Sequence, residues 1–539
     1  MTYVERAQQF STAEVAQLLR SHDALQREHT ALKADLARAL KQLDWLQRQI
    51  FGRKSERRIV DDGTFQLNFG EGFEEIPQDN PPQQRVIAAH ERKVPRKNPL
   101  EGAVCDTGLR FGPEVPVEEI RLDPPELAEL SADQYEIIDE KVTHKLAQLA
   151  GSYVVLKYIQ PLIKRKDSGA LLSAPAPAAV LEKSYADVSF LAGALIDKFV
   201  YHLPLYRQHQ RLEHNHIVLA RGTLTNATQR AIGLLEPVYR AMFVSVLQSQ
   251  TLAMDETPTK AGRSGPGTMK TGYFWPIYGD RDEVVFPFFD NRRHENVATL
   301  LTGFKGTLLT DGYAAYERYA AKQKAPDDDT PGLVHAQCWV HLRRMFLDAE
   351  QEHPDKVRQV LTFIRALYGH EEHCRKEKLN ADAKRAYRQQ HSAPVVAAFF
   401  AWLLQQQQDP TLLPSEAFTQ AMRYALAHRA KFEVFLDQPE VALDTNHLER
   451  ALRPIPLGRK NWNFCWTELG AKQVGIIQSL LITCKLHGVD PYDYLVDVLQ
   501  RVDQHPASRV HELTPRLWKQ HYAANPLRSA LYWARQRKG

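Results

Sequence analysis

Three acidic residues, two at the ends of strand-like runs and one in a helical motif, have the chemistry of a divalent-metal site. Asp255 ends the run 251–255, Asp311 ends the run 308–311, and Glu449 lies in a helical motif. Hard cations such as Mg²⁺ prefer oxygen ligands, and two such ions can stabilise both the attacking and the leaving oxygen of a phosphodiester. We therefore predict that Asp255, Asp311 and Glu449 bind the metal and catalyse phosphoryl transfer.

Each acid also has an ordinary structural explanation. Asp311 precedes a helix and could be its N-cap, Asp255 could close a turn, and Glu449 could pair with a neighbouring arginine. Glu256 competes with Asp255 for the site; since successive residues of a strand face opposite sides, we expect only Asp255 to point towards the metal. The order of the three acids, each on a suitable element, favours the metal site over three separate structural roles.

The elements around the acids have a characteristic order. Strands are predicted at 250–255, 272–278, 283–289, 307–311 and 333–338, and helices at 294–304 and 313–321. Three strands, a helix, a strand, a helix and a strand is the order of an RNase H-like fold, whose first and fourth strands are neighbours. Asp255 and Asp311 are therefore expected within the distance of a shared metal ion. The expected fold class is mixed α/β and multidomain, with an RNase H-like catalytic core, a helical insertion, an N-terminal coiled coil and a helical DNA-binding region.

Composition limits the class of protein. A chain of 539 residues has room for roughly three to four domains of about 150 residues each. The net charge is only +4, so contacts with nucleic acid must come from local basic clusters. Five scattered cysteines argue against a disulfide framework. Without a signal-peptide pattern, and with its longest apolar run at about half the length that crosses a bilayer, the chain is expected to be soluble, cytoplasmic and free of membrane contacts.

The N-terminal part is expected to mediate self-association. Within residues 1–58, apolar residues recur at heptad spacing, namely Leu18, Leu25, Leu32, Ala39 and Leu46. This spacing predicts a coiled coil that forms a homo-oligomer; the alternative is one amphipathic helix packed on its own protein. Residues 59–101 are rich in Pro, Gln and Asn and are expected to be a disordered linker.

The rest of the chain divides into six predicted parts. They are a small β-rich module at 102–185, a helical region at 186–247, the first part of the core at 248–345, a helical insertion at 346–443, the last part of the core with Glu449 at 444–500, and a C-terminal tail at 501–539. In the helical region, Arg221, Gly222 and Thr223 indicate a glycine-containing turn and a Thr-capped helix. That pattern is compatible with a DNA-binding helix-turn-helix, although any helical bundle can contain it.

Cations and aromatic residues surround the third acid. Those predicted to bind DNA are Arg343, Arg344, Arg450, Arg453, Arg459, Lys460, Trp462 and Trp466. Such a mixture predicts a surface that binds backbone phosphates and stacks on unpaired bases; the alternative is a basic surface with buried tryptophans. Cys338 and His341 have the spacing of half a zinc site, but no second Cys/His pair partners them, so zinc is not expected.

Several longer segments closely resemble the transposases of bacterial insertion-sequence family sixty-six. The segments are 51–56, 202–208, 310–313, 338–344, 444–454, 458–462, 483–491 and 512–515. The resemblance covers nearly the whole chain and implies a D-D-E transposase on an RNase H-like core, with Asp255, Asp311 and Glu449 as its acidic triad. It also implies that Cys338 and His341 form a structural C-x-x-H motif, and that the protein is associated with a bacterial nucleoid.

The chain departs from that family in the β-rich module. Members usually carry a cysteine zinc-binding module after the linker, whereas here only Cys105 lies in that region, and Arg165 and Ser168 stand where a cysteine pair would be expected. We expect a degenerate zinc-finger-like module that keeps its fold without the metal. Thr445, where Asn is commoner in the family, leaves the neighbouring acid intact.

The resemblance and the three acids together predict a DNA transposase. It would bind the terminal inverted repeats of an insertion sequence and use Mg²⁺, for which Mn²⁺ should substitute, to cleave and transfer strands. Its expected partners are element-end and target DNA, further copies of the chain, and small accessory proteins encoded by the same element. The alternative is an inactive, repurposed protein that only occupies the repeat ends. An RNase H-type ribonuclease would leave the coiled coil without a role.

Overall fold

The structure is a computed structural model that describes most of the chain from Leu109 onward. It covers residues 109–149, 151–177, 179–265, 268–322, 333–462, 465 and 467–536. The predicted coiled coil, the linker, Cys105 and Trp466 lie outside these residues. The described residues form a mixed α/β structure with several sheets. Their helices include none that is both long enough and apolar enough to span a membrane.

Strands occur mainly in the first half of the described chain. They are β1 (Arg110–Phe111), β2 (Val117–Arg121), β3 (Tyr135–Leu149), β4 (Ser152–Arg165), β5 (Leu171–Ser173), β6 (Ile217–Val218), β7 (Thr251–Met254), β8 (Thr257–Gly265), β9 (Thr268–Phe274), β10 (Ile277–Gly279), β11 (Val284–Val285), β12 (Phe288–Phe289), β13 (Thr307–Thr310) and β14 (Val334–Gln337).

Helices dominate from residue 339 onward. The α-helices are α1 (Val188–Phe199), α2 (Leu205–His214), α3 (Arg221–Leu234), α4 (Glu236–Leu247), α5 (His294–Leu300), α6 (Ala314–Lys322), α7 (Trp339–Leu347), α8 (Pro354–Lys376), α9 (Ala381–Tyr387), α10 (Ala393–Gln406), α11 (Ala417–Ala427), α12 (Arg429–Asp437), α13 (Asn446–Leu452), α14 (Pro454–Trp462), α15 (Glu468–Leu486), α16 (Pro491–Arg501), α17 (Pro515–His521) and α18 (Ala530–Gln536). A π-helical turn and two 3₁₀ helices lie at Arg388–Ser392, Pro125–Glu129 and Ala507–Leu513.

The sheet that carries the candidate site has the strand order β11-β10-β7-β13-β14. Central β7 pairs in parallel with β13 and antiparallel with β10, and β13 pairs in parallel with β14. Every residue of β13 is buried, as expected for a parallel strand covered on both faces. The predicted adjacency of strands 250–255 and 307–311 is confirmed, because β7 and β13 are hydrogen-bonded to each other.

Prolines divide strands that the sequence predicts as continuous. The predicted strand 272–278 is β9 and β10 with Pro276 between them, and 283–289 is β11 and β12 with Pro287 between them. Proline has no N–H to donate to a ladder. Trp275 N donates to Pro287 O at 2.9 Å. The link from β9 to β10 and the link from β11 to β12 therefore lie side by side where they pass between the two sheets. β9 and β12 join β8, which the sequence did not predict, in a second sheet of order β12-β9-β8.

The module before the helices is β-rich, and β3 and β4 form its long antiparallel hairpin. β2 pairs with β4 in parallel, and β5 pairs with the other end of β4. Arg165 Nη2 and Asp167 Oδ2 form an ion pair at 2.6 Å in the turn between β4 and β5. An ion pair therefore occupies the turn where the family resemblance placed a cysteine pair.

The prediction of a glycine turn followed by a Thr-capped helix is wrong. α3 begins at Arg221, so Gly222 and Thr223 lie inside its first turn, and no side chain caps it. Thr225 Oγ1 donates to Arg221 O at 3.0 Å, the local hydrogen bond by which a helix accommodates threonine. The threonines of this segment therefore lie within the helix and do not begin it.

Two hydrophobic clusters enclose the sheet. Leu252, Leu308 and Ile477 belong to a large cluster that joins the sheet to α1, α4 and α15. Leu309 and Ala336 belong to a second cluster formed with α8, α10, α11 and α12. Because Leu308 and Leu309 are consecutive in β13, they point to opposite faces of the sheet. The helices of residues 354–437 thus cover one face, and α15 lies on the other.

Candidate functional site

The register of β7 and β13 brings two acids together. Leu309 lies opposite Ala253 in the parallel pair, and two residues further along each strand Asp311 comes opposite Asp255. Both acids lie just beyond the carboxyl ends of their strands. One oxygen from each of Asp255, Glu256 and Asp311 lies within 4.8 Å of the others. The predicted proximity of Asp255 and Asp311 is therefore confirmed.

The prediction that Glu256 points away from the site is wrong. It rested on the alternation of side chains along a strand, but β7 ends at Met254 and β8 begins at Thr257, so Asp255 and Glu256 lie in the link between strands. The backbone turns there, and Glu256 N donates to Asp255 Oδ1 at 2.7 Å. Both carboxylates consequently face the same site.

Glu256 is held by two partners that sequence reasoning missed. Tyr316 Oη donates to its Oε2 at 2.7 Å, and Arg292 donates to its Oε1 from Nε at 2.9 Å and from Nη2. The Glu256 side chain is 3% exposed, and a buried carboxylate needs such partners because an unpaired buried charge is costly. The sequence signal that could have indicated the arginine partner was the basic triplet 292–294 at the start of the predicted helix 294–304.

Burial and mutual repulsion dominate the electrostatics of the acids. The pKa of Asp255 is raised to about 7, first by burial and then by the charges of Asp311 and Glu256. Burial also raises the pKa of Glu256, although the hydrogen bonds from Tyr316 and Arg292 oppose that shift. Both directions are those expected of carboxylates crowded into a site of low dielectric constant. The site therefore has an excess of negative charge that a cation would offset.

Glu449 reaches the same region from another element. It lies in the first turn of α13, and its charge contributes to the raised pKa of Asp255. Its carboxylate is not one of the three that lie within 4.8 Å of one another. Instead, Arg344 Nη2 donates to both of its oxygens, at 3.0 and 2.9 Å. Arg344, predicted to bind DNA, is thus the ion-pair partner of the third acid.

The segment that begins at Cys338 fixes the start of the helix that carries Glu449. Cys338 is buried, and its Sγ lies 3.6 Å from Thr445 Oγ1. Trp339 N donates to Leu443 O at 2.9 Å, and Glu449 N donates to Thr445 O at 2.9 Å. These contacts connect the end of β14 to the first turn of α13. They support the structural role that was expected for Cys338.

His341 lies one turn further along α7 than Cys338. Burial lowers its pKa, while the charges of Asp311 and Glu449 act in the opposite direction, which places the ring close to the acids. Its Nδ1 has no hydrogen-bond partner among the described residues. Among the described residues, neither Cys338 nor His341 belongs to the group of carboxylates that could hold a metal ion.

The remaining residues predicted to bind DNA have mixed environments. The exposed ones are Arg343, Arg450, Arg453 and Lys460. Arg459 Nη1 donates to the carbonyl of Pro258, and the ring of Trp462 packs on Phe199 and His202 with centroid separations of 5.7 and 5.9 Å. The contacts of Trp462 favour the packing alternative over base stacking. DNA binding by the exposed cations stays a prediction.

Family models match three parts of the chain. Residues 183–473, more than half of the chain, match the Transposase IS66 family. Residues 479–516 match the IS66 C-terminal element, and residues 38–103 match the model described as Transposase C of IS166 homeodomain. All the acids of the candidate site fall within the first match.

Curated relatives from Sinorhizobium fredii are similar over most of their length. The uncharacterized protein y4hP is 27% identical over 514 residues, which cover 90% of this chain and 90% of the relative. The uncharacterized protein y4jD is 30% identical over 363 residues, or 65% of this chain and 69% of the relative. The uncharacterized protein y4qI is 29% identical over 523 residues, or 94% of this chain and 92% of the relative. By the family match over more than half of its length, the chain belongs to the IS66 transposase family, whose domains imply DNA as its partner.

Proposed function

We propose that this protein is a D-D-E transposase that binds the terminal inverted repeats of an insertion sequence and catalyses metal-dependent cleavage and transfer of DNA strands. One observation carries the proposal: Asp255 and Asp311 lie opposite each other at the carboxyl ends of the parallel strands β7 and β13, with Glu449 on the neighbouring helix α13. Membership of a transposase family supports DNA as the substrate class.

The order of the sheet supports an RNase H-like core. β7 is central, β10 and β11 extend one edge through antiparallel pairs, and β13 and β14 extend the other edge in parallel. The parallel strands are connected through α5 and α6, as parallel neighbours require a crossover. In this interpretation α8 to α12 are the helical insertion between the second and third acids.

The residues present fit Mg²⁺, and also Mn²⁺. The donors are carboxylate oxygens, which hard divalent cations prefer, and three of them converge within 4.8 Å. Burial, and then the charges of Asp311 and Glu256, raise the pKa of Asp255 to about 7, and a bound cation would offset the repulsion between these charges. When bound, two such ions would activate water or a 3′-hydroxyl and stabilise the attacking and leaving oxygens.

The chain's own residues supply position and charge. Asp255 and Asp311 hold the shared metal position, because their strands fix them opposite each other. Glu449 completes the set after it leaves Arg344. The side chains of this pair are 30% and 46% exposed, and ion pairs of that exposure are weak enough to separate at a small cost.

The test is Mg²⁺- or Mn²⁺-dependent nicking and joining of a plasmid that carries the DNA flanking this gene. The wild type should cleave at the element ends. Asp255→Asn and Asp311→Asn should reduce cleavage and joining by more than about 100-fold, since even the outer partners of metal ligands commonly cost about 10- to 100-fold. Asp503→Asn, at an exposed position in the turn after α16, is the matched control and should leave the rates unchanged.

Each other outcome has a definite meaning. A wild type that binds the ends without cleaving them would support the repurposed end-binding protein. An Asp255→Asn or Asp311→Asn variant that still joins ends would contradict the assignment of the acids. Preferential cleavage of an RNA/DNA hybrid would support a ribonuclease.

A further inference from the structure

A basic cavity is connected to the carboxylates of the candidate site through two of its lining residues, Arg292 and Tyr313. Its volume is about 390 Å³, and the charged and aromatic residues that line it are Arg292, Arg293, His294, Glu295, Tyr313 and Arg318. Glu295, the acid among these lining residues, lies 3.5 Å from His294 Nδ1. Three arginines and one carboxylate therefore line the cavity, which leaves it with a net positive charge.

Arg292 marks the border between this cavity and the acids. Its Nε and Nη2 donate to Glu256, and its guanidinium carbon lies 4.0 Å from the centroid of the Tyr313 ring. Tyr313 Oη donates to Arg292 O at 2.8 Å, and Tyr313 N donates to Asp311 Oδ1 at 3.0 Å. Tyr313 thus contacts both an acid of the site and the arginine at the edge of the cavity.

Donors remain on the cavity side. Within the part of the chain that the structure describes, Arg292 Nη1 makes no hydrogen bond, and the exposed side chains of Arg293 and Arg318 make no ion pair. A guanidinium presents its donors in a planar fork that matches the geometry of phosphate oxygens. The chemistry of the cavity therefore suits a phosphate group.

Electrostatics favour a cation cluster at this place. A DNA strand that reaches the acids brings its own negative charges to a site that already holds several carboxylates. Arginines at the edge of that site offset the repulsion and fix the position of the strand, because phosphate contacts set the register of a protein on nucleic acid.

We propose that this cavity binds a backbone phosphate of the DNA strand being cut, next to the scissile phosphodiester, with Arg292 and Arg318 as its ligands. The inference rests on the proposed function and adds a strand-positioning site to it. Glu256 is then a positioning residue, since it orients Arg292 and lies buried beneath it.

The test measures binding without metal, so that its readout does not depend on cleavage. The probe is a short duplex of the DNA that flanks the gene, and the quantity is the slope of log affinity against log salt concentration. Each phosphate contact contributes about 0.9 to that slope in duplex DNA. Because the two arginines share one phosphate, Arg292→Gln and Arg318→Gln should each reduce the slope, by at most about 0.9.

Arg281→Gln is the matched control. Arg281 is exposed in the turn between β10 and β11. Gly279, just before this turn, pairs with Leu252 near the start of β7, whereas Asp255 follows the end of β7. The turn therefore lies at the other end of the sheet from Asp255. The variant removes the same charge away from the cavity and should leave the slope unchanged.

Arg318→Gln is the decisive variant, because Arg292→Gln also removes the charged partner of the buried Glu256 and leaves it only the hydrogen bond from Tyr316. In a scan that replaces single phosphates by neutral methylphosphonates, the wild type should lose affinity at the contacted linkage, whereas Arg318→Gln should lose less there, because only Arg292 still contacts that phosphate. A slope equal to that of Arg281→Gln, or full sensitivity of Arg318→Gln at every linkage, would overturn the proposal. A wild type without Mg²⁺-dependent cleavage would instead refute the proposed function and leave these slopes measurable.

Discussion

Replacing Arg344 by Gln should tighten the binding of Mn²⁺ to the DNA-free protein. Glu449 accepts hydrogen bonds from Arg344 at 2.9 and 3.0 Å and must leave it before it can become a metal ligand. The two side chains are 46% and 30% exposed, and ion pairs in such environments stabilise by about 0.2 to 1 kcal/mol. Since about 1.4 kcal/mol corresponds to a tenfold change, removal of this competition should lower Kd by about 1.4- to 5-fold.

Isothermal titration calorimetry with Mn²⁺ on the wild type, Arg344→Gln, Glu449→Gln and the double variant would test this expectation. Loss of a cation beside the acids also strengthens metal binding through general Coulombic attraction. In the Glu449→Gln background Arg344 has no carboxylate to hold away from the metal. The gain from Arg344→Gln there therefore measures the Coulombic effect alone. The gain from Arg344→Gln should therefore be larger when Glu449 is present. An equal gain in both backgrounds, or no gain in either, would refute the role of Glu449 as a ligand held in reserve.

Two further predictions concern the packing around the sheet. Gly475→Ala in α15 should lower the urea midpoint of unfolding, because the new Cβ would lie 2.2 Å from Phe286 O, although alanine favours helices. The matched control is Gly369→Ala in α8, where no atom lies within 4 Å of the new Cβ. This control should stabilise the protein by up to about 1 kcal/mol. A raised midpoint for Gly475→Ala would contradict this packing. Burial lowers the pKa of His335 to about 4, so the stability that its neutral ring contributes, up to about 3 kcal/mol, is complete above about pH 6.5 and is lost as the pH falls towards 4. His335→Gln should flatten this part of the pH profile of stability. If the profiles of the variant and the wild type stay parallel, the pH dependence does not come from His335.

The acids at strand ends could be predicted from sequence because their positions follow from backbone rules. Short apolar runs define β7 and β13, and the register of parallel strands then places Asp311 opposite Asp255. The rule of alternation failed for Glu256 because it applies only inside a strand, and β7 stops one residue before Asp255. The pairing of Arg344 with Glu449 depends on side-chain reach between distant elements, which no local pattern encodes.

β8 was missed for a related reason. It contains Pro258 and the positive-φ residue Gly262 (φ +72°), both unfavourable within a strand, and its ladder with β9 shifts register beyond Lys260. The strand exists because β9 provides a partner along most of its length. Tertiary pairing therefore overrides local propensity there.

The third acid is far from the first two along the chain, and this has a consequence for synthesis. Asp255 and Asp311 emerge from the ribosome well before Glu449. Glu449 follows the whole helical cluster, which ends near Leu443, the residue whose carbonyl accepts a hydrogen bond from Trp339 N. Domains generally fold in order from the N-terminus during translation. With the acids acting as proposed, a nascent chain lacks the third acid until the helical cluster has been made, so it cannot cut the cell's DNA before that point.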